Sequence, residues 1–171
     1  MHERKSPRLR EYDYSAAGSY FLTLCAYNHY NIFGQIVNGT MIPNEFGAIA
    51  INEFMKSFEI RKELIPDEFV IMPNHLHALV HLMDAGRNEM PVATVENTRR
   101  PRSISSFVAG FKSSVTKQIN LIRTETEIPI WQGRYYDHII RHPRALDPIR
   151  NYIRMNPAKW DKDQNRKKRL L

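Results

Sequence analysis

The longest apolar stretch of the chain, Phe69 to Leu82, is interrupted by Pro73, Asn74 and histidines. A bilayer-spanning helix needs ~18 apolar residues in a row, so this stretch is not one. Phe69-Val70-Ile71-Met72 reads instead as a short strand, with Pro73-Asn74 as its punctuation and His75 to Leu82 as a second strand. Side chains alternate between the faces of a strand, so His75 and His77 point the same way, roughly 7 Å apart along the backbone. Leu76 faces the opposite side, as a core residue should. His81 shares the histidine face by parity but lies about 20 Å from His75, too far to join the same cluster easily.

The other segments fall into place around this pair. Tyr20 to Tyr27 is apolar, β-branched and aromatic, and reads as a central strand. Asn38-Gly39, between Phe33–Val37 and Thr40–Ile42, is the strongest short hairpin signal in the chain. Asn44 then caps a helix to about Arg61, with Phe46, Ile49, Ala50, Phe54 and Phe58 at helical spacing. Residues 84–102 are polar and aperiodic, a long loop. Ser103 to Arg123 is an amphipathic helix with Ile104, Phe107, Val108, Phe111, Val115 and Ile119 as its apolar stripe. Arg134 to Arg141 reads as another strand. Asp147-Pro148 reads as the cap and first turn of a last helix, which Pro157 stops. With the hairpin set aside the order is βαββαβ. The expected fold is α+β and ferredoxin-like (RRM-like): an antiparallel sheet with helices on one face, an N-terminal β-hairpin and a C-terminal helix.

Composition narrows the function classes. The 171 residues are 42% hydrophobic, enough for one domain with its own core. The start, Met1-His2-Glu3-Arg4-Lys5, carries no apolar secretory core, and the single Cys25 excludes an internal disulfide framework or a multi-cysteine zinc knuckle. A reducing cytoplasm is the expected compartment. The net charge of +7 suggests a polyanionic partner. Arg99, Arg100 and Arg102 precede a helix, and Arg166, Lys167, Lys168 and Arg169 form a basic tail over 161–171, to be read as a DNA contact or as a solvated end.

The chemistry concentrates in two places. His75 and His77 can lean together and share one metal ion, or can simply pack against a helix. On the last helix Ile149, Tyr152, Ile153 and Asn156 recur at i, i+3, i+4 and i+7 and share a face. The Asn156 amide oxygen suits a hard cation such as Mg²⁺ or Mn²⁺, and Tyr152 one turn before it would stand beside the metal. The plain alternative is a core tyrosine and a helix-ending asparagine. A residue before proline is also pushed from helical geometry, which tells against Asn156.

These segments together resemble a known family. Val70 to Val80, with Pro73-Asn74-His75-Leu76-His77, resembles the HUH strand of single-tyrosine transposases. Tyr152-Ile-Arg-Met-Asn-Pro157 resembles the helix that carries their nucleophile and third metal ligand. Tyr14 to Thr23, Gly110-Phe-Lys-Ser113 and Trp131 to Arg141 resemble the REP-associated branch, so the likeness runs along nearly the whole chain in the right order. It implies one HUH transposase-like domain over 1–171, with Tyr152 as nucleophile and His75, His77 and Asn156 as ligands of Mg²⁺ or Mn²⁺. Tyr135 and Tyr136 are weaker rivals, since they lie on a strand without an i+4 amide and face opposite ways.

The implied reaction is metal-assisted attack of Tyr152 on single-stranded DNA, giving a 5′-phosphotyrosine intermediate that is later rejoined. The implied partner is hairpin or palindromic repeat DNA, and both monomers and helix-swapped dimers fit. Lys112, Arg134, Arg141 and Arg154 are candidate phosphate contacts, with a solvated surface as the alternative for each. Trp131 suits a core position better than a base-stacking one. Two other readings stay open: a non-catalytic ferredoxin-like nucleic-acid-binding module, and a hydrolase that activates water.

Overall fold

The computed structural model of the chain describes residues 13–84 and 102–162. Arg99, Arg100 and the basic run Arg166 to Arg169 lie outside the described residues. Among the described residues there are six strands and three α-helices: β1 (Gly18–Cys25), β2 (Gly34–Val37), β3 (Thr40–Pro43), α1 (Glu45–Ile60), β4 (Leu64–Met72), β5 (His75–Leu82), α2 (Ile104–Asn120), β6 (Tyr136–Ile140) and α3 (Leu146–Met155). The main sheet has the order β4-β5-β1-β6 with every pair antiparallel, and β2 and β3 form a separate hairpin. This is the expected α+β architecture, with β5 and β1 in the centre.

Local sequence explains most boundaries. Asn38 and Gly39 both take positive φ, as a two-residue turn between right-twisted strands requires. Asn44 caps α1 by accepting the Gly47 amide, and Ser103 with Ser106 closes a reciprocal capping box at α2. The apolar stripes of α1 and α2 pack on one face of the sheet. Tyr20, Leu22, Leu24, Leu76, Ala78, Val80 and Leu82 meet Phe54, Phe107 and Phe111 there, and Trp131 joins them against Phe33 and Phe111. Helix α3 covers the other face, where Leu79 and Ile140 pack with Ile153. Among the described residues no helix is long and apolar enough to cross a membrane.

Several boundaries differ from expectation. Strand β1 starts at Gly18 and stops at Cys25, because the chain then turns through a 3-10 turn over Tyr27–His29 with Asn28 and His29 at positive φ. Helix α2 ends at Asn120, short of Arg123. Strand β4 begins at Leu64 rather than Phe69; Pro66 is tolerated because β4 is an edge strand and is irregular at that point. Arg134 and Tyr135 precede β6, and Tyr135 packs on the core while Tyr136 is exposed. Asp147 does not cap α3. A 3-10 turn over Pro143–Ala145 runs directly into the helix, and Asp147 sits in the first turn, ion-paired with Arg150.

Candidate active site

His75 and His77 lie on the α3 face of the sheet, their ring centroids 4.5 Å apart. Both are buried. The β5 alternation that sends Leu76 and Ala78 into the core leaves no other direction for the two imidazoles.

Each ring is held from behind. His75 Nδ1 is 2.8 Å from Asn74 Oδ1, and Asn74 Nδ2 donates to the His29 carbonyl. An amide oxygen only accepts, so the proton sits on Nδ1 and Nε2 carries the lone pair. His77 Nδ1 is 2.8 Å from Thr23 Oγ1, its cross-strand partner on β1. Such outer partners fix the tautomer and orientation of a metal-ligating imidazole. Burial pushes the His75 pKa down to about 3, so its ring stays neutral, as a ligand must be.

Helix α3 brings Tyr152 to the same place, with Asn156 at its C-cap one turn further on. The Tyr152 hydroxyl is 3.2 Å from His77 Nε2. Phe21 stacks on His77 at 5.2 Å and meets Tyr152 edge-on at 5.9 Å, so the phenol is braced beside the imidazole and is still 41% exposed. Asn156 keeps helical angles, φ −59° and ψ −46°, despite Pro157. The chain answers the proline by tightening into a 3-10 turn over Pro157–Lys162, whose Trp160 stacks 6.1 Å from His75. Asn156 is only 4% exposed, and its Oδ1 is buried without a hydrogen-bond partner among the described residues. A buried bare acceptor costs roughly 1–3 kcal/mol. Two imidazoles backed by oxygen partners, with a buried amide oxygen that lacks a donor among the described residues, fit a divalent cation. No group of three or more His, Cys, Asp or Glu is placed to hold a metal among the described residues.

The other candidates are dispersed. Lys112 Nζ donates to the carbonyls of Gln132 (2.7 Å) and Arg134 (3.3 Å), and burial lowers its pKa to about 8. It ties the approach to β6 onto α2. Arg154 is ion-paired with Glu68 at 2.7 Å, and Arg134 and Arg141 are exposed. Tyr136 lies opposite Thr23 on the histidine face, one strand further from His77 than Thr23 itself. His81 is held at the far end of β5 by Asp67 and Ser19, away from the His75 and His77 pair. Sequence reasoning missed Asn74 and Thr23. Asn74 carried a usable signal, an amide directly before the first histidine; Thr23 carried none, because only strand pairing brings it to His77.

Known proteins share sequence and fold with this chain. An uncharacterised protein of Haemophilus influenzae is 36% identical over 176 residues, spanning 96% of this chain and 93% of that protein. A second Haemophilus influenzae protein, provisionally named a REP-associated tyrosine transposase, is 30% identical over 112 residues; the match takes in 64% of this chain and 60% of that relative's length. No family model matches. The solved structure of a REP-associated tyrosine transposase bound to a REP hairpin superposes with a TM-score of 0.61 over 91% of this chain and 74% of that one. At 19% identity, this likeness speaks for the fold. The chain is therefore similar, over part of its length, to a protein provisionally named a REP-associated tyrosine transposase, and it shares the fold of a solved member of that family.

Proposed function

We propose that this protein cuts and rejoins single-stranded DNA at hairpin or palindromic repeats, with Tyr152 as nucleophile. The observation that carries the reading is the Tyr152 hydroxyl standing 3.2 Å from His77 Nε2, on the helix that also buries the bare Asn156 oxygen. His75 Nε2, His77 Nε2 and Asn156 Oδ1 would hold Mg²⁺ or Mn²⁺. When bound, that ion supplies Lewis-acid polarisation of a non-bridging phosphate oxygen.

The residues of the chain do the rest. Asn74 and Thr23 hold the two imidazoles in place. Phe21 keeps the phenol beside His77, and the exposure of Tyr152 admits a DNA strand. The phenol oxygen forms a bond to phosphorus as the P–O3′ bond breaks. The phenol loses a proton, the departing 3′ oxygen gains one, and the DNA 5′-phosphate stays on Tyr152. A 3′-hydroxyl returning to that phosphate reverses the step, so no nucleotide cofactor is consumed. Arg134 and Arg141 are proposed phosphate contacts. Lys112 joins them only if DNA displaces its present protein partners, whereas Arg154 is held by Glu68.

The test is a covalent-adduct assay with Mn²⁺ or Mg²⁺ and labelled single-stranded DNA carrying palindromic repeats, resolved on a denaturing gel. A metal-dependent protein–DNA band, absent in Tyr152→Phe and in EDTA, is expected. Cleavage without an adduct would point to an activated water instead. Hairpin binding with neither would leave a non-catalytic binding module.

A further inference from the structure

A second polar cluster lies at the far end of the same sheet face, and the reaction above does not use it. Strand β4 loses register with β5 between Pro66 and Phe69, and the two residues in that gap are the carboxylates Asp67 and Glu68. A bulge re-aims side chains out of the regular alternation. Asp67 receives Arg150 Nε at 2.9 and 3.1 Å and Nη2 at 2.6 Å, together with His81 Nε2 at 2.8 Å. His81 Nδ1 is in turn 2.8 Å from Ser19 Oγ on β1. Glu68 receives Arg154 through Nε and Nη2, both at 2.7 Å.

Helical geometry gives these bonds a consequence. At about 100° per residue, Ile149, Ile153 and Asn156 form the underside of α3, Tyr152 one flank, and Arg150 and Arg154 the opposite flank. Apolar packing under the helix resists lifting but is non-directional, so it does little against roll. Planar guanidinium forks are directional. Helix α3 has only 10 residues and no side-chain cap at its start, which leaves the flank contacts to set its rotation. The Tyr152 hydroxyl stands roughly 9 Å from the helix axis, so a roll of about 10° moves it by roughly 1.5 Å. A misplacement of about 1 Å can cost about a hundredfold in rate.

We infer that Asp67 and Glu68 form a clasp on Arg150 and Arg154 that sets the roll of α3 and so aims the Tyr152 hydroxyl at the histidine pair. These four are positioning residues, and the inference rests on the reading of Tyr152 as nucleophile.

The experiment uses the full chain with 3-fluorotyrosine placed at position 152, read by fluorine NMR, and adduct kinetics at saturating hairpin DNA. In Asp67→Asn/Glu68→Gln the fluorine resonance shifts or broadens and the adduct rate falls about a hundredfold, while Mn²⁺ affinity and hairpin affinity hold within twofold. Glu68→Arg alone lowers the rate, and adding Arg154→Glu restores it to within threefold, a rescue that general destabilisation would not give. A folded Asp67→Asn/Glu68→Gln protein with an unmoved resonance and a rate within twofold of the parent overturns the clasp, as does a charge swap without rescue. If the first variant fails to fold by circular dichroism, the swap series decides. If the parent itself forms no adduct, the reading of Tyr152 has failed, and the fluorine resonance alone still reports whether the clasp sets the ring's surroundings.

Discussion

Leu76 and His77 are neighbours in the chain and face opposite sides of the sheet, and their surroundings differ in kind. Leu76 is fully buried among the strands and the aromatic residues of α1 and α2, where any well-fitting apolar side chain serves. His77 is as well buried, but its neighbours are Thr23, Phe21, Tyr152 and His75, each at a distance that serves an orientation. One face is held by area, the other by direction. Loss on the first face should therefore appear as lost stability, and loss on the second as lost chemistry in a folded protein.

The sharpest break in the comparison comes from exchanging the two residues' roles as targets. His77→Ala should lower adduct formation by at least about a hundredfold and abolish high-affinity Mn²⁺ binding, with the cooperative unfolding transition kept. Leu76→Ala should cost about 2–5 kcal/mol in urea denaturation and leave the rate of the folded fraction within a few fold. Equal loss of stability in both variants would dissolve the distinction between the faces. A smaller effect tests the support behind the histidines: Asn74→Ala should weaken Mn²⁺ binding by about 10–100-fold in titration calorimetry.

The smallest effects are in pH. The folded His75 pKa, about 3, lies below the ordinary 6.5, so the unfolded chain takes up the proton first. Metal-free protein should keep this contribution above about pH 6.5 and lose it steadily as the pH falls toward 3. The Arg150 hydrogen bond holds the Asp67 carboxyl below its ordinary 3.8 against an opposing desolvation effect. Its contribution should be complete above about pH 4 and be lost only as the pH drops through the lowered folded value. Asp67→Asn should flatten the most acidic part of the stability profile and leave the part near pH 6 unchanged.

Much of this was legible beforehand because it is local. The two-residue period of β5 assigned both of its faces, Asn38-Gly39 fixed the hairpin, and Tyr152 and Asn156 share one side of α3 through helical spacing. The starts of β4 and α3 were not legible. Pro66 argues against a strand until the strand is known to lie at the sheet edge, and Asp147-Pro148 imitates a cap that the preceding 3-10 turn makes unnecessary.

The sequence alone therefore determined the element order and the apolar faces, because these follow from backbone periodicities over a few residues, whereas the proposed His75, His77, Tyr152 and Asn156 set came from the family resemblance of the motifs. Only the tertiary structure decided that α3 lies on the histidine face, that Thr23 backs His77 across 54 residues of chain, and that Asp67 reaches Arg150 across 83. Those contacts depend on strand order and on a bulge, and no local period encodes either. They also decide where the Tyr152 hydroxyl points, because side-chain aim is set by what surrounds a helix, whereas side-chain spacing is set by the helix itself.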